Sequence, residues 1–447
     1  MFVRNYLVRM VFVIYWLLIL EGSLRKWGLP QLQELFFFIR IPVTLVLYWV
    51  AFKNRCWPRT TWPLLLAYMF AVIALVIVPF QIIAGGYGRS YLLLAGYGWI
   101  NYFFYIPLAF LIAEQFRKED IDRLIRHTLC LTIPAALLVA VQFSSPATAI
   151  INLGSGLDES DQFQNLGAAM GFVRPTGFFT SALGQSQFVA SSAALILANW
   201  IVAKQERQAG NVLLISGTAA VLVMTAFSQS RMLFFQIGFV FLIGIVAGLI
   251  IWEKRIVLRA LVWPALILGV AIVAWPRLFP TAYEVFLTRW IGAWAEETQL
   301  FHYGIFGRTF QPFYALLDYL PSTPFIGYLL GFGGNASLRL DWVRLPKAAY
   351  EWTGYGAWGL EGGWAVHFVE LGLFVGLAFI IFRVGLALWV GWKVYKCTRY
   401  CGNPIPALLF GYVGVVILIG QFTEQGTMNG YAWMFLGLCL SSIRTYS

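Results

Sequence analysis

Residues 360–372 read LEGGWAVHFVELG, and for about two dozen residues after them the chain is almost wholly apolar. A bilayer core is crossed by a helix of about 20 predominantly apolar residues, so this run has the length of a membrane span. The stretch decides the fold because it is repeated along the chain. Comparable runs lie at about residues 6–23, 34–52, 62–83, 92–113, 122–143, 179–202, 211–228, 232–252, 257–275, 364–390, 405–422 and 427–442. The 447 residues are 60% hydrophobic and 11% charged, too apolar for a soluble domain of this size. The runs are continuous rather than alternating, which excludes a transmembrane β-barrel. The expected fold is an all-α polytopic membrane protein of about 12 spans in a single domain, residues 1–447. Residues 6–21, with Arg4 and Arg9 at their N-terminal end and no small-residue cleavage site behind them, read as a retained first span.

The net charge of +11 would point to nucleic acid in a soluble protein. Here it follows the bias of basic residues toward the cytoplasmic side, and no nucleic-acid partner is expected. With the N-terminus inside, the cytoplasmic loops are KNRCWPR (53–59), EQFRKEDIDR (114–123), KQERQ (204–208), EKRIVLR (253–259) and KVYKCTRYC (393–401), all short and basic. The alternation places both termini in the cytoplasm. It leaves two long outer segments, about 144–178 and 276–363. The second lies between spans nine and ten and is long enough to hold amphipathic helices such as RWIGAWAEETQLF (289–301). Such a loop reads as a lid over a site or as interfacial helices, whose Trp and Tyr favour the headgroup level. None of the five cysteines falls in an outer loop, so no structural disulfide is expected.

Outer arginines run against the charge bias, which makes them informative. They are Arg89, Arg174, Arg231, Arg277, Arg289, Arg308, Arg339 and Arg344. Arg174, in VRPTGFFTS, precedes span six. Arg231, in SQSRM, occupies a turn of a few residues between spans seven and eight. Both fall near the membrane boundary, where the planar fork of a guanidinium suits phosphate oxygens. Two such groups fit a lipid-linked diphosphate, ordinary lipid headgroups or a carboxylate. Arg40, in FFFIRIPVT, is a charge inside a span and should be paired, functional or reaching toward an interface.

In the opening stretch, a helix over 361–375 would put Glu361 and Glu370 on roughly opposite faces and about 13 Å apart in depth. His367 and Glu370 share a face and are within reach of each other, so Glu370 reads as deep and structural. Glu361, at the outer mouth beside Gly362 and Gly363, is the better candidate for a general base.

These residues resemble the O-antigen ligase and Wzy-type polymerase superfamily of GT-C-like membrane glycosyltransferases. The resemblance runs from about residue 90 to 380. It is carried by Arg174–Phe188, the SQSR turn (Ser228–Arg231), Thr323–Gly333 and the VELGLFVG helix (Val369–Gly376). EGSLRKW (Glu21–Trp27) is similar to polymerase-type members. The resemblance implies transfer, with inversion and without a metal or other cofactor, from an undecaprenyl-diphosphate-linked glycan donor to a glycan acceptor. It implies that Arg174 and Arg231 hold the diphosphate and that Glu361 is catalytic. Arg289 and Arg308 would add contacts from the loop, and His367, Glu370 and Arg89 would be structural or secondary. Membrane lipids, a chain-length regulator and a flippase are the other expected partners. Two departures stand out. The position that bears a histidine in ligases is Glu361, which favours a polymerase over a ligase, and SALGQSQ (181–187) replaces a His-Pro-Asn turn. A solute transporter working through Arg40, His367 and Glu370 is the rival from another class, though no internal repeat supports it.

Overall fold

The computed structural model describes residues 2–85, 90–153, 169–201, 210–251, 254–300, 363–420, 422–423 and 426–446. These residues form helices and their connections, with no strand among them. Helix α1 (Phe2–Ser23) continues into a π-helical turn, Leu24–Gly28. It is followed by α2 (Gln33–Phe38), α3 (Arg40–Lys53), α4 (Trp62–Gly85) and α5 (Ser90–Trp99). A second π-helical turn, Ile100–Phe104, joins α5 to α6 (Ile106–Gln115), and α7 (Lys118–Ser144) comes next. Then come α8 (Ala182–Ile201), α9 (Asn211–Phe227), α10 (Arg231–Ile250), α11 (Lys254–Leu278) and α12 (Pro280–Leu300). The chain closes with α13 (Ala365–Leu371), α14 (Leu373–Cys401), α15 (Ile405–Ile419) and α16 (Gly426–Tyr446).

Among the described residues six stretches are long and apolar enough to cross a membrane: Phe2–Gly28, Trp62–Gln81, Ala95–Gln115, Lys118–Ser144, Arg231–Ile250 and Leu373–Cys401. A bent pair, Ala265–Leu278 with Pro280–Ala295, makes seven if counted as one span. The expected count was about 12. The difference has two physical sources. Helices α3, α9 and α15 are only 14, 17 and 15 residues long. Helices α8 and α16 are buried on nearly every side, so protein rather than lipid surrounds them, and they carry Gln185, Gln187, Asn199, Asn429 and Ser441 at buried positions.

Those two helices and α15 form the centre. Helix α16 packs on α6, α15 and α1, while α15 packs on α8, α10 and α14. Glycines permit the tightest approaches. A Cβ on Gly437 would stand 2.7 Å from the Ala109 carbonyl, and one on Gly411 3.1 Å from the Val240 Cα. Helix α4 instead exposes Leu65, Met69, Val72, Leu75 and Val76, an apolar face suited to lipid. The sequence-predicted helix over 289–301 is present as far as Leu300 within α12, which meets α11 at 102°. Leu287, Ile291 and Trp294 on α12 are exposed. The remainder of the expected outer loop, 301–362, lies outside the described residues, as do Arg89, Arg308 and Glu361.

Candidate functional site

The loop that carries Arg174 is held from three directions. Gln229, in the SQSR turn, donates from Nε2 to the Val173 carbonyl at 3.0 Å. Gln142 on α7 accepts from the Gly177 N–H through Oε1 at 2.8 Å. Lys26, in the π-turn after α1, donates from Nζ to Thr176 Oγ1 (2.9 Å), the Gly177 carbonyl (2.9 Å) and the Phe179 carbonyl (2.7 Å). The SQSR turn needs a left-handed residue, supplied by Gln229 at φ 52°. Ser230 then caps α10, its hydroxyl accepting from the Leu233 N–H at 3.4 Å. Arg231 is the first residue of that helix. The structure therefore joins the backbones next to Arg174 and Arg231, and both side chains are half-buried. Arg289, on α12, is half-buried too. Its neighbour Thr288 donates to Met170 Sδ at 3.6 Å, which lays this turn of α12 over the start of the Arg174 segment.

Arg40, whose partner could not be read from the sequence, pairs with Glu21. Its Nε lies 2.6 Å from Glu21 Oε2, and both side chains are buried. Arg25 stands 3.5 Å from the other oxygen, one helical turn along. A Cβ on Gly426 would sit 3.1 Å from Asn101 Oδ1 and 3.4 Å from Arg40 Nη2, so the start of α16, the second π-turn and Arg40 meet there.

His367 and Glu370 are both fully buried and belong to one chain of hydrogen bonds, but they are not adjacent members of it. Tyr102 stands between them. The helix expected over 361–375 is broken at Gly372, whose φ of 79° and ψ of 176° suit glycine and end α13. Tyr102 donates to Glu370 Oε2 at 2.6 Å and lies 2.8 Å from His367 Nδ1. Arg383 lies 2.6 Å from His367 Nε2. A guanidinium only donates, so Nε2 must carry the lone pair and Nδ1 the proton. The order of donation is thus Arg383 to His367 to Tyr102 to Glu370, with one hydrogen arrangement that satisfies every atom.

Arg383 has five N–H donors and all are engaged. Nε donates to the Ile417 carbonyl (2.7 Å), and Nη1 to the Gly363 carbonyl (3.0 Å) and to His367. Nη2 donates to the carbonyls of Val416 (3.2 Å) and Gly420 (2.7 Å). Three of these carbonyls end α15, where a helix leaves acceptors without internal partners. The guanidinium also faces the Phe422 ring at 4.7 Å. A narrow cleft between α4 and α5 reaches Tyr102 and Glu370, and is otherwise lined mostly by apolar groups such as Ile77, Trp99 and Phe103.

Sequence reasoning found Arg40, His367 and Glu370 but missed Glu21, Lys26, Tyr102 and Arg383. Three of those four are charges within or beside apolar runs, the same signal that marked Arg40. Tyr102 carried no such signal.

Compared with known proteins, the chain matches no protein-family model and no curated protein. The class defined by its own residues is a helical membrane protein. At one end of its bundle Glu21, Lys26, Arg40, His367, Glu370 and Arg383 are buried and held by ion pairs or hydrogen bonds.

Proposed function

We propose that the chain is a membrane glycosyltransferase that polymerises undecaprenyl-diphosphate-linked oligosaccharide repeats at the outer face of a bacterial cytoplasmic membrane, for a surface polysaccharide or exopolysaccharide. The observation that carries this reading is the Gln229–Val173 hydrogen bond, which ties the SQSR turn to the RPTGFF segment. Arg174 and Arg231 thereby flank one place at the Lys26 end of the bundle. In this reading that end faces outward, the chain crosses the membrane 12 times with both termini inside, and 276–363 is an outer loop.

The chemistry follows from charge. As the bond from the anomeric carbon to the diphosphate breaks, negative charge grows on the leaving group. Arg174 and Arg231 would stabilise it most in the transition state, where catalysis gains. Arg289 and Arg308 would add contacts from the loop side. Glu361 would take the proton from the attacking sugar hydroxyl. The acceptor is a glycan. Transfer of finished glycan to a lipid or protein, as by a ligase, is the alternative with the same donor site. The transporter reading would require Arg40, His367 and Glu370 to trade partners with a solute. Arg40 is ion-paired and the other two are hydrogen-bonded within the bundle, which disfavours it.

The test is chain extension in vesicles supplied with a lipid-linked repeat unit. Arg174→Ala, Arg231→Ala and Glu361→Gln should each slow extension by about 10²–10³-fold while the protein still inserts. Normal polymer length from all three variants would rule the reading out.

A further inference from the structure

The motif EGSLRKW (Glu21–Trp27) contributes no group to the reaction proposed above, yet nearly every residue in it has a defined contact. Glu21 pairs with Arg25 and Arg40. Gly22 lets the backbones touch, since a Cβ there would stand 2.4 Å from the Phe178 carbonyl oxygen. Ser23 donates to that same oxygen at 3.2 Å, and Trp27 donates to the Ile150 carbonyl at 3.0 Å. Lys26 is 3% exposed and makes the three bonds to Thr176, Gly177 and Phe179. The motif is a clamp, and what it clamps is the Arg174 segment.

An ammonium has three donors, and Lys26 has three acceptors within 2.9 Å, all from one turn. None of them is a carboxylate. No donor remains for a ligand, so Lys26 cannot itself bind one. What it fixes is direction. The carbonyls of Gly177 and Phe179 point inward to the ammonium, while Gln142 holds the Gly177 N–H from the other side. Gln229 holds Val173 on the far side of Arg174. Only Arg174 and Pro175 lie between these anchors, and proline fixes its own φ and restricts its predecessor to extended backbone. Arg174 is left little backbone freedom.

We propose that Lys26 is a positioning residue for Arg174: by drawing the Thr176–Phe179 carbonyls inward it sets the Arg174 guanidinium to meet a lipid-borne diphosphate. The inference rests on the reading of Arg174 as a diphosphate-binding group. Arginine is a poor substitute for Lys26, because a planar fork cannot reach three acceptors that converge on one point.

The experiment uses the full chain in detergent micelles, with undecaprenyl diphosphate bearing no glycan as the probe. Lys26→Met should weaken probe binding by about tenfold, equivalent to about 1.4 kcal/mol. In chain extension kcat/KM for the donor should fall by at least that factor, with kcat falling as well as KM rising, because a displaced Arg174 loses its hold on the leaving group in the transition state as well as in the ground state. Hydrogen–deuterium exchange over 172–180 should quicken, and exchange in α15 and α16 should not. Lys26→Arg should recover binding only in part. Wild-type affinity and exchange in Lys26→Met would overturn the role of Lys26. Absence of probe binding by the wild-type chain would instead overturn the reading of Arg174. Should Lys26→Met quicken exchange throughout the bundle, Thr176→Val decides, since it removes one acceptor and no charge. Unchanged probe binding in that variant would also overturn the proposal.

Discussion

The two ends of the bundle use the same device in different surroundings. At one end Arg4 and Arg444 cap the C-terminus of α6. Arg4 donates to the Gln115 carbonyl at 2.9 Å, and Arg444 donates to the carbonyls of Glu114 and Phe116. At the other end Arg383 caps α15 through the carbonyls of Val416, Ile417 and Gly420. Arg444 is exposed and Arg383 is 1% exposed. The first end pairs Arg4 with Asp120 at its rim, whereas the second sequesters Glu21, Lys26, Arg40, His367, Glu370 and Arg383. Chemistry that decorates a helix end in water becomes obligatory once water is excluded, because a buried carbonyl or cation without a partner costs several kcal/mol. Identical caps should therefore differ several-fold in what they contribute to stability.

Arg383→Met should give the largest effect. It removes the Arg383 bonds to the Ile417 and Gly420 carbonyls at the end of α15, leaves Val416 with the Gly420 N–H alone, and leaves His367 Nε2 without a donor. Destabilisation of about 4–5 kcal/mol is expected, at the upper end for breaking a buried pair. Thermal unfolding in micelles would measure it. A loss below about 1 kcal/mol would mean that water reaches this end, and the contrast with Arg444 would vanish.

Arg40→Met should come next, at about 3–4 kcal/mol, because Glu21 is left with the more distant Arg25 alone. The double variant Glu21→Met with Arg40→Met should recover most of that loss, since removing both charges also removes the cost of burying them. Thermal unfolding of both singles and the double completes the cycle. Additive losses would show the two residues to be uncoupled.

Tyr102→Phe should cost about 1–3 kcal/mol, the penalty for leaving the Glu370 carboxylate and the His367 Nδ1–H without the shared hydroxyl. It isolates the middle link of the chain of donors. The two caps at its ends, Arg383 on α15 and the Gln81 donation to the Glu370 carbonyl at 3.1 Å, should survive. Exchange protection at the end of α15 should persist in Tyr102→Phe and disappear in Arg383→Met.

The contrast between the ends also marks what the sequence could reveal. Long apolar runs announce helices facing lipid, so α1, α4, α7, α10 and α14 were legible. The innermost helices read as spans at 179–202 and 427–442, but a helix surrounded by protein is free to carry glutamine and asparagine, as α8 and α16 do, and neither is among the helices apolar enough to face lipid. A charge in an apolar run advertises a cost, which is why Arg40 stood out. Its partner did not, because Glu21 meets it only through the packing of α3 on α1. His367 and Glu370 were correctly set on one face by their spacing. The hydroxyl that joins them comes from a π-turn more than 260 residues earlier, and no local pattern encodes that meeting. The break at Gly372 was hidden as well, since a glycine in an apolar run reads equally as a packing contact or as a left-handed stop. The pairing of the Arg174 loop with the SQSR turn depends on Gln229, an uncharged residue in a short turn that spacing alone did not mark.

Arg444→Ala should give the smallest effect, and its smallness is the sharpest check on the comparison. Its guanidinium serves the same kind of acceptor as Arg383, carbonyls at the end of a helix, but Arg383 makes five bonds, so the two losses are compared bond for bond. Water can replace the exposed donor at the half-buried Glu114, and the buried Phe116 carbonyl keeps the Ser441 hydroxyl as a donor at 3.3 Å. The expected loss is therefore below about 1 kcal/mol, as for surface charge interactions in general. Arg4→Ala should cost more than Arg444→Ala, because it leaves the buried Asp120 carboxylate with the Arg117 N–H in place of an ion pair. If Arg444→Ala proved as damaging as Arg383→Met, burial would not set the worth of these caps, and both ends would have to be regarded as equally dry.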